Sequence, residues 1–240
     1  MGQSYFIWKN KDCRSMGVKL SGPVPVVRPE ERVKHVEIPG RPGDLTETEG
    51  EDIYNSYIQT ATILVKGGFR IREIYNWLKG SGYVTFHGEP DRKQEARIIG
   101  AITLNRHSYN LDWWEGEVQF YCAPLKESLT AAAEVEITTS GATVRNNGDV
   151  ASRPVITATA SSTTMTINIK GKILTMSGIT SGHIYKIDTD AMAVSDITAF
   201  PPVVVTNKSS GQFPVLQPGS NAVAGSGWSK LVFDRRERFL

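Results

Sequence analysis

The sequence is organised around an eight-residue stretch, Ile38-Pro39-Gly40-Arg41-Pro42-Gly43-Asp44-Leu45. It sets glycines, prolines and an arginine–aspartate pair between two apolar residues. Glycine permits backbone angles that other residues avoid, and proline fixes φ and removes a hydrogen-bond donor. The stretch therefore predicts a tight, rigid turn from which Arg41 and Asp44 project. Composition alone is typical of an ordinary hairpin or loop connection.

The segments on either side of this turn indicate β structure. Residues 33–38 alternate in character like a strand that leads into the turn. Residues 46–52 are acidic and predict a solvated loop. Residues 57–65 are rich in β-branched side chains and predict a buried strand.

One helix is predicted in the first half. Ile71, Ile74, Tyr75 and Leu78 fall at i, i+3, i+4 and i+7 and form a single apolar stripe of about three turns. Gly80 stands where a C′ glycine is expected. Because so short a helix needs tertiary packing, we expect it to lie on a sheet.

The rest of the first half predicts antiparallel strands. Residues 82–86 form one, and alternate residues of 96–104 share one face of a second, long strand. Residues 114–122 alternate in the same way, with one face in the core and one in solvent, until Pro124 ends the strand. This half is predicted to be an antiparallel, β-sandwich-like domain with one α-helix.

The composition changes near residue 125, where charge thins and Ser, Thr, Ala and Gly rise. Short strands with turns every ~8–12 residues then predict a β-sandwich. Residues 165–169 and 173–176 alternate around Gly171, which predicts a hairpin. We place the boundary within residues 125–150 and predict two domains, 1–130 and 131–240, in a mainly β protein.

Charge and composition exclude several classes of protein. The net charge is +2, and residues 1–124 carry 16 basic and 16 acidic side chains, which is unlike a dedicated nucleic-acid binder. No signal-peptide pattern and no apolar run of ~20 residues is present, so we expect a soluble protein made in the cytoplasm and no membrane partner. Cys13 and Cys122 are predicted to be isolated buried thiols.

The sequence offers few candidates for chemistry. Its four histidines lack metal-ligand spacing, and phosphate-binding loops and the Gly-x-Ser-x-Gly elbow are absent, so we predict no catalytic residue, no metal and no cofactor. Two carboxylate pairs remain as glycosidase candidates, although charge on an exposed strand face explains them. An aromatic pair also stands as a candidate sugar platform or interface. These residues are Glu115 with Glu117, Asp188 with Asp190, and Trp113 with Trp114.

The chain resembles the distal tail proteins of long, non-contractile-tailed phages and prophages that infect Gram-positive hosts. The motifs that carry the resemblance span nearly the whole chain and keep the order found in that family, although each alone is weakly specific. They are residues 6–10 and 16–18, the Pro-Gly-Arg turn at 38–45, the helix through Trp77-Leu78, and residues 118–124, 147–154, 185–189 and 213–221.

The resemblance implies a structural protein of the virion tail tip, without enzyme activity and assembled in the host cytoplasm. It implies an N-terminal domain that builds a hexameric ring and a C-terminal galectin-like β-sandwich. The implied partners are the tail-tube protein, the tail-associated hub protein and a receptor-binding protein, with DNA only passing through the channel. This chain lacks the long inserted arm that grips receptor-binding proteins in some members.

Three further readings stay open at this level. Arg41 and Asp44 are candidates for a charged contact across the subunit interface, or for a pair within their own turn. A carbohydrate-binding module is the alternative function, since the second half is predicted to be lectin-like. A glycan-cleaving enzyme that uses Glu115 or Glu117 is the remaining rival.

Overall fold

A computed structural model describes residues 4–40, 42–48, 50, 52–106 and 112–240 of the chain. The fold is mainly β, with antiparallel pairing throughout the described strands and one short α-helix, as predicted. The chain divides into two compact units, the first ending at Leu129 and also taking Leu240, and the second running from Thr130 to Phe239.

The first unit is built on one curved sheet. Its strands lie in the order β2-β1-β7-β8-β10-β6-β3, with β9 also paired to β10, while β4 and β5 form a separate two-stranded hairpin. A 3-10 turn at Gly68–Arg70 leads into helix α1, Ile71–Trp77. The strands are β1 Phe6–Trp8, β2 Lys11–Asp12, β3 Val18–Leu20, β4 Val33–Glu37, β5 Asp44–Thr48, β6 Tyr57–Lys66, β7 Ser81–Phe86, β8 Arg92–Ile99, β9 Leu104–Arg106 and β10 Trp113–Ser128.

Aromatic packing joins the helix to this sheet. Phe6, Trp8 and Phe120 are fully buried and meet edge to face, and the ring of Trp77 stacks on Phe6 at 5.6 Å. The two indole N–H groups of Trp8 and Trp77 each donate to the other residue's carbonyl oxygen at 3.2 Å. Since both indoles are satisfied, the helix is fixed to the sheet by packing and by matched hydrogen bonds.

The helix is shorter than the predicted three turns. Ile74 and Leu78 are buried as the stripe predicted, but Tyr75 is 38% exposed and Trp77 occupies the core instead. The helix ends at Trp77, with Leu78 as the C-cap, so Gly80, which was predicted as the C′ residue, lies one residue beyond the observed C′ position. Trp77 is not a member of the predicted apolar stripe, so the stripe did not indicate that this residue is buried.

Two strand predictions also need correction. The long strand predicted over residues 96–104 breaks at Gly100, whose φ is +70°, and resumes as the separate β9. Strand β10 does not stop at Pro124 but continues to Ser128, because the register against β8 shifts between Cys122 and Lys126. A bulge tolerates proline since the residue there needs no ladder hydrogen bond.

The second unit is a β-sandwich of two antiparallel sheets, as predicted. One sheet has the order β11-β21-β13-β16-β17-β18 and the other β12-β20-β14-β15-β19. The predicted hairpin around Gly171 joins β14 to β15. The strands are β11 Val135–Ile137, β12 Thr143–Asn146, β13 Val155–Ala160, β14 Thr164–Ile169, β15 Lys172–Ser177, β16 Ile184–Asp188, β17 Ala193–Asp196, β18 Val203–Val204, β19 Ser209–Gly211, β20 Gly219–Ser226 and β21 Trp228–Asp234. Strand β22, Arg238–Phe239, is the last in the chain and belongs to neither of these two sheets.

Side chains from both sheets interdigitate to form this second core. Ile156 and Tyr185 of one sheet meet Ile167 and Leu174 of the other, and each is at most 1% exposed. Alternate residues of the strands point inward, which is the period-two pattern that the sequence shows.

Candidate functional site

The β4–β5 hairpin is the most exposed regular structure in the first unit. We call residues 33–48 the exposed hairpin. Every residue of β5 is exposed, and in β4 only Val33 and Val36 are half-buried. Part of the acidic segment predicted as a loop therefore lies in a strand, because Asp44–Thr48 pairs with β4. An isolated two-stranded hairpin is marginally stable in water, so this element gains little from its own contacts.

Charge near the turn is unbalanced. Asp44, the first residue of β5, lies directly opposite Glu37, and three residues further along β5 Glu47 lies opposite Lys34. Like charges that face each other across two strands are destabilising. Arg41, predicted to accompany Asp44, lies outside the described residues. The end of the hairpin near the turn thus presents two adjacent carboxylates to solvent.

The second strand of the hairpin begins a strongly acidic run. Residues 44–52 contain five acidic side chains and no basic one. These are Asp44, Glu47, Glu49, Glu51 and Asp52.

A second feature of the first unit is a cleft of about 540 Å³ beside strand β3. We call it the basic cleft. Its cations come from the β2–β3 connection, β3, the end of β6 and the 3-10 turn, and two aromatic rings complete it. The defining residues are Arg14, Lys19, Lys66, Phe69, Arg70 and Trp113.

The cations of the basic cleft differ in how they are held. Arg14 forms a two-armed ion pair with Asp12, which lowers the pKa of the Asp12 carboxyl mainly through the hydrogen bond from the guanidinium. Lys19 lies 5.4 Å over the ring of Trp113, and Arg70 lies 5.8 Å from the ring of Phe69. No ion pair joins Lys19, Lys66 or Arg70 to a carboxylate within the described residues.

The carboxylate of Asp112, which lines the basic cleft, already accepts hydrogen bonds. Asp112 accepts hydrogen bonds from the Trp114 indole at 3.0 Å and from the Gly68 amide at 3.1 Å. The indole hydrogen bond contributes most to holding the pKa of Asp112 below its ordinary value. The cleft therefore carries an excess of positive charge beside an accessible apolar surface, since Phe69 is 84% exposed.

The structure separates the tryptophan pair, which the sequence offered as a candidate sugar platform or interface. Trp114 packs against the core of the first unit, whereas Trp113 lines the basic cleft. The two rings lie on opposite faces of β10 and do not form a shared sugar platform.

The Glu115–Glu117 pair lies elsewhere, in an open polar groove of about 750 Å³ with Arg106 and Gln119. Glu115 accepts a hydrogen bond from the Ser21 hydroxyl at 3.2 Å. The pair therefore lies among polar side chains at an open surface.

The Asp188–Asp190 pair serves a turn. Asp188 accepts the amide hydrogens of Asp190 and Ala191 at 3.1 Å and pairs with Arg236 at 3.2 Å. Burial raises the pKa of Asp188, but these hydrogen bonds and the arginine charge outweigh it and lower the pKa overall. Asp190 is 3.8 Å from Arg153. The two carboxylates therefore have separate structural partners.

The histidines and cysteines show local roles. His35 bonds with Thr46, His87 packs against Tyr5, and His183 pairs with Asp196 at 2.7 Å, while His107 lies outside the described residues. No metal-binding cluster of His, Cys, Asp or Glu occurs in the described part of the chain. The two cysteines are buried and unpaired, as predicted. No described helix is long and apolar enough to cross a membrane.

The aromatic residues of the second unit are mostly in its core. Four are at most 8% exposed, and Phe213 packs partly buried against them. Phe200 alone in this unit, which is described throughout, is fully exposed. A lectin-type aromatic platform needs more than one accessible ring at one place. The four buried residues are Tyr185, Trp228, Phe233 and Phe239.

Sequence reasoning found the turn but missed the basic cleft. Its residues are scattered between positions 14 and 113, and each reads alone as an ordinary surface charge. The contact of Lys19 with Trp113 exists only because β3 and β10 both pair with β6. The clustering of Lys66, Phe69 and Arg70 after a predicted strand was the only local signal.

Comparison with known proteins identifies the fold. No protein-family profile and no curated protein sequence matches the chain. The crystal structure of Dit (gp 19.1) from phage SPP1 is similar over 100% of both chains, with a TM-score of 0.77 at 17% sequence identity. That protein is described as a paradigm of the hub adsorption apparatus in phages that infect Gram-positive bacteria. The phage P2 baseplate in its activated conformation with calcium aligns over 100% of both chains, with a TM-score of 0.49 at 8% identity.

The likeness to SPP1 Dit runs through both units, because the alignment leaves no part of either chain out. The resemblance predicted from the sequence motifs is thus confirmed at the level of the fold. The chain has the fold of a phage distal tail protein.

Proposed function

We propose that this chain is a structural distal tail protein whose copies form a hexameric ring. The ring would join the tail tube to the tail-tip hub of a phage or prophage and let DNA pass through its channel. The observation that carries the proposal is the likeness to SPP1 Dit over the full length of both chains.

The two domains would divide this work. Residues 1–130 would form the ring, and residues 131–240 would form a galectin-like domain that is free to meet other tail proteins, including a receptor-binding protein. A closed ring needs two different, complementary surfaces on each subunit. The exposed hairpin supports this assignment, because Asp44 and its neighbours are accessible and little supported by their own unit. We place the subunit interface at Arg41 and Asp44.

The proposed role needs no catalysis. Of the carboxylates that resembled a glycosidase site, Asp188 pairs with Arg236 and Glu115 accepts a hydrogen bond from Ser21. Near-neutral net charge suits a channel that must release DNA. We place the protein at the tail tip of the virion, after assembly in the host cytoplasm.

The test is the mass of the purified chain across a range of concentrations, by light scattering and negative-stain imaging. We expect a hollow ring of six subunits. An open filament or a strict monomer, also when a hub protein encoded beside it is added, would contradict the proposal.

A further inference from the structure

We infer that the acidic strand of the exposed hairpin in one copy of this chain docks in the basic cleft of the next copy. The inference rests on the proposed ring and names the two surfaces that would meet in it. Both surfaces belong to the first unit, and among the described residues each holds charges that have no partner of opposite sign.

Charge is the first argument. Lys19, Lys66 and Arg70 of the basic cleft have no carboxylate partner among the described residues. Asp44 of the hairpin has no cationic partner there either, and it faces Glu37 instead. Bringing the cleft cations to this carboxylate pair would relieve the repulsion within the hairpin and supply the missing counter-charges.

Chemical type is the second argument. The basic cleft combines cations with aromatic rings, among them Phe69, which is 84% exposed. The hairpin offers apolar side chains in the same segment as its carboxylates, since Ile38 and Leu45 are each 38% exposed. An acidic strand with an aliphatic anchor is the kind of ligand that a cationic, aromatic-lined cleft accepts.

Backbone geometry is the third argument. Strand β3 is the last strand of the first-unit sheet and pairs only with β6 among the described strands. Strand β5 likewise pairs on one side only, with β4. Two such edges can extend each other, and a five-residue strand of roughly 17 Å would run along the cleft.

The arrangement would be heterologous. The hairpin and the basic cleft are different surfaces, so each copy gives one and receives one, which is the condition for a ring rather than an isolated pair. Among the described residues, neither Asp44 of the hairpin nor Lys19, Lys66 and Arg70 of the cleft has a partner of opposite charge in its own chain.

Charge reversal in the full-length chain tests this docking. One variant carries Asp44→Lys with Glu47→Lys in the hairpin, and the other carries Lys19→Glu with Lys66→Glu in the cleft. Each alone should lower the association constant by about tenfold or more, because like charges then meet at every interface. The control, Lys172→Glu with Lys186→Glu on the exposed surface of the second unit, should assemble like the wild type.

Mixing is the decisive measurement. In an equimolar mixture every hairpin can find a cleft of opposite charge, provided that the two variants alternate, so rings with an even number of subunits should reappear. A chain carrying all four substitutions should assemble by itself. Circular dichroism would verify that each variant is folded.

The outcomes separate the two proposals. If the wild type forms rings and both charge-reversed variants form the same rings, the proposed docking is wrong, but the proposed ring is supported. Loss of assembly in both variants without rescue in the mixture would also overturn the docking. A wild type that stays monomeric at every concentration and with its hub partner would overturn both.

Discussion

The two units use the same antiparallel geometry to different ends. The second unit closes two sheets on each other, and its inward side chains are almost fully buried. The first unit covers one face of its sheet with a two-turn helix and leaves an acidic hairpin and a basic cleft in solvent. The second unit thus buries its inward side chains within its own chain, whereas the first leaves exposed the two charged surfaces that the proposed docking would bring together.

Core truncation in each unit should give the largest effect. Phe120→Ala and Phe233→Ala each remove a ring that is 0% exposed, which should lower the free energy of unfolding by about 3–5 kcal/mol. Phe120 also loses its edge-to-face contacts with Phe6 and Trp8. If the units are independent, urea unfolding followed by near-UV circular dichroism should show each variant lowering one transition only. Equal shifts of a single transition in both variants would show that the two units unfold together.

Alanine substitutions at two glycines, one in the sandwich and one in the exposed hairpin, should have effects of intermediate size on the free energy of unfolding. Gly225 has φ +148°, and a Cβ there would lie 2.0 Å from the Thr166 carbonyl oxygen, so Gly225→Ala should cost about 3 kcal/mol. Gly40 has φ +82° with open space around it, so Gly40→Ala should cost less than about 1 kcal/mol. Thermal unfolding of both variants measures the loss of unfolding free energy at each site. Equal losses would show that the strained backbone angle alone, and not the space around the glycine, determines the loss.

Acid should weaken the second unit through Asp196. Burial raises the pKa of this carboxyl, but the hydrogen bond with His183 and that from the Thr198 amide outweigh it, so the pKa lies below the ordinary 3.8. A depressed folded-state pKa stabilises the fold above the unfolded value, and that stabilisation is lost as pH falls through the folded value.

The free energy of unfolding of the second unit should therefore fall below about pH 4. The decline should be shallower in Asp196→Asn than in the wild type, and Asp190→Asn, which changes an exposed aspartate, should follow the wild type. Urea titrations between about pH 3 and 7 measure both. If the free energy of unfolding falls with pH at the same slope in all three proteins, Asp196 is not the cause of the decline.

Substitutions in the exposed hairpin should have the smallest effect on the free energy of unfolding, although they should weaken assembly strongly. Asp44→Ala with Glu47→Ala removes two exposed carboxylates, so the free energy of unfolding of the dilute chain should change by less than about 0.5 kcal/mol. Ring formation should weaken in the same variant, as sedimentation velocity would show. A large loss of stability in the dilute chain would instead mean that the hairpin supports its own unit.

Much of the fold could be predicted because period-two patterns survive wherever one sheet face is buried. Val118, Phe120 and Cys122 alternate in the sequence and are all buried. The second half was recognisable as a sandwich for the same reason. Prediction failed where local chemistry was overridden by pairing. Pro124 is accommodated by a bulge, and Thr46 joins a strand although it begins the acidic segment predicted as a loop.

The candidate site was only half predictable. The turn at residues 38–45 is contiguous, so its glycines and prolines could be recognised directly. The basic cleft depends on Lys19 and Trp113, which are distant in sequence and meet only through a shared neighbour, β6. No pattern in a single sequence records such a contact, because it follows from the order of strands in the sheet.

That order has a consequence for how the protein is made. Strand β10 is the last strand of the main sheet to be synthesised before Leu129, yet it lies between β8 and β6 and pairs with both. A growing chain that has not yet produced residues 113–128 must keep these two partners apart and their edges open. The first unit therefore cannot complete its sheet progressively, and a nascent chain is most exposed to aggregation just before β10 is available.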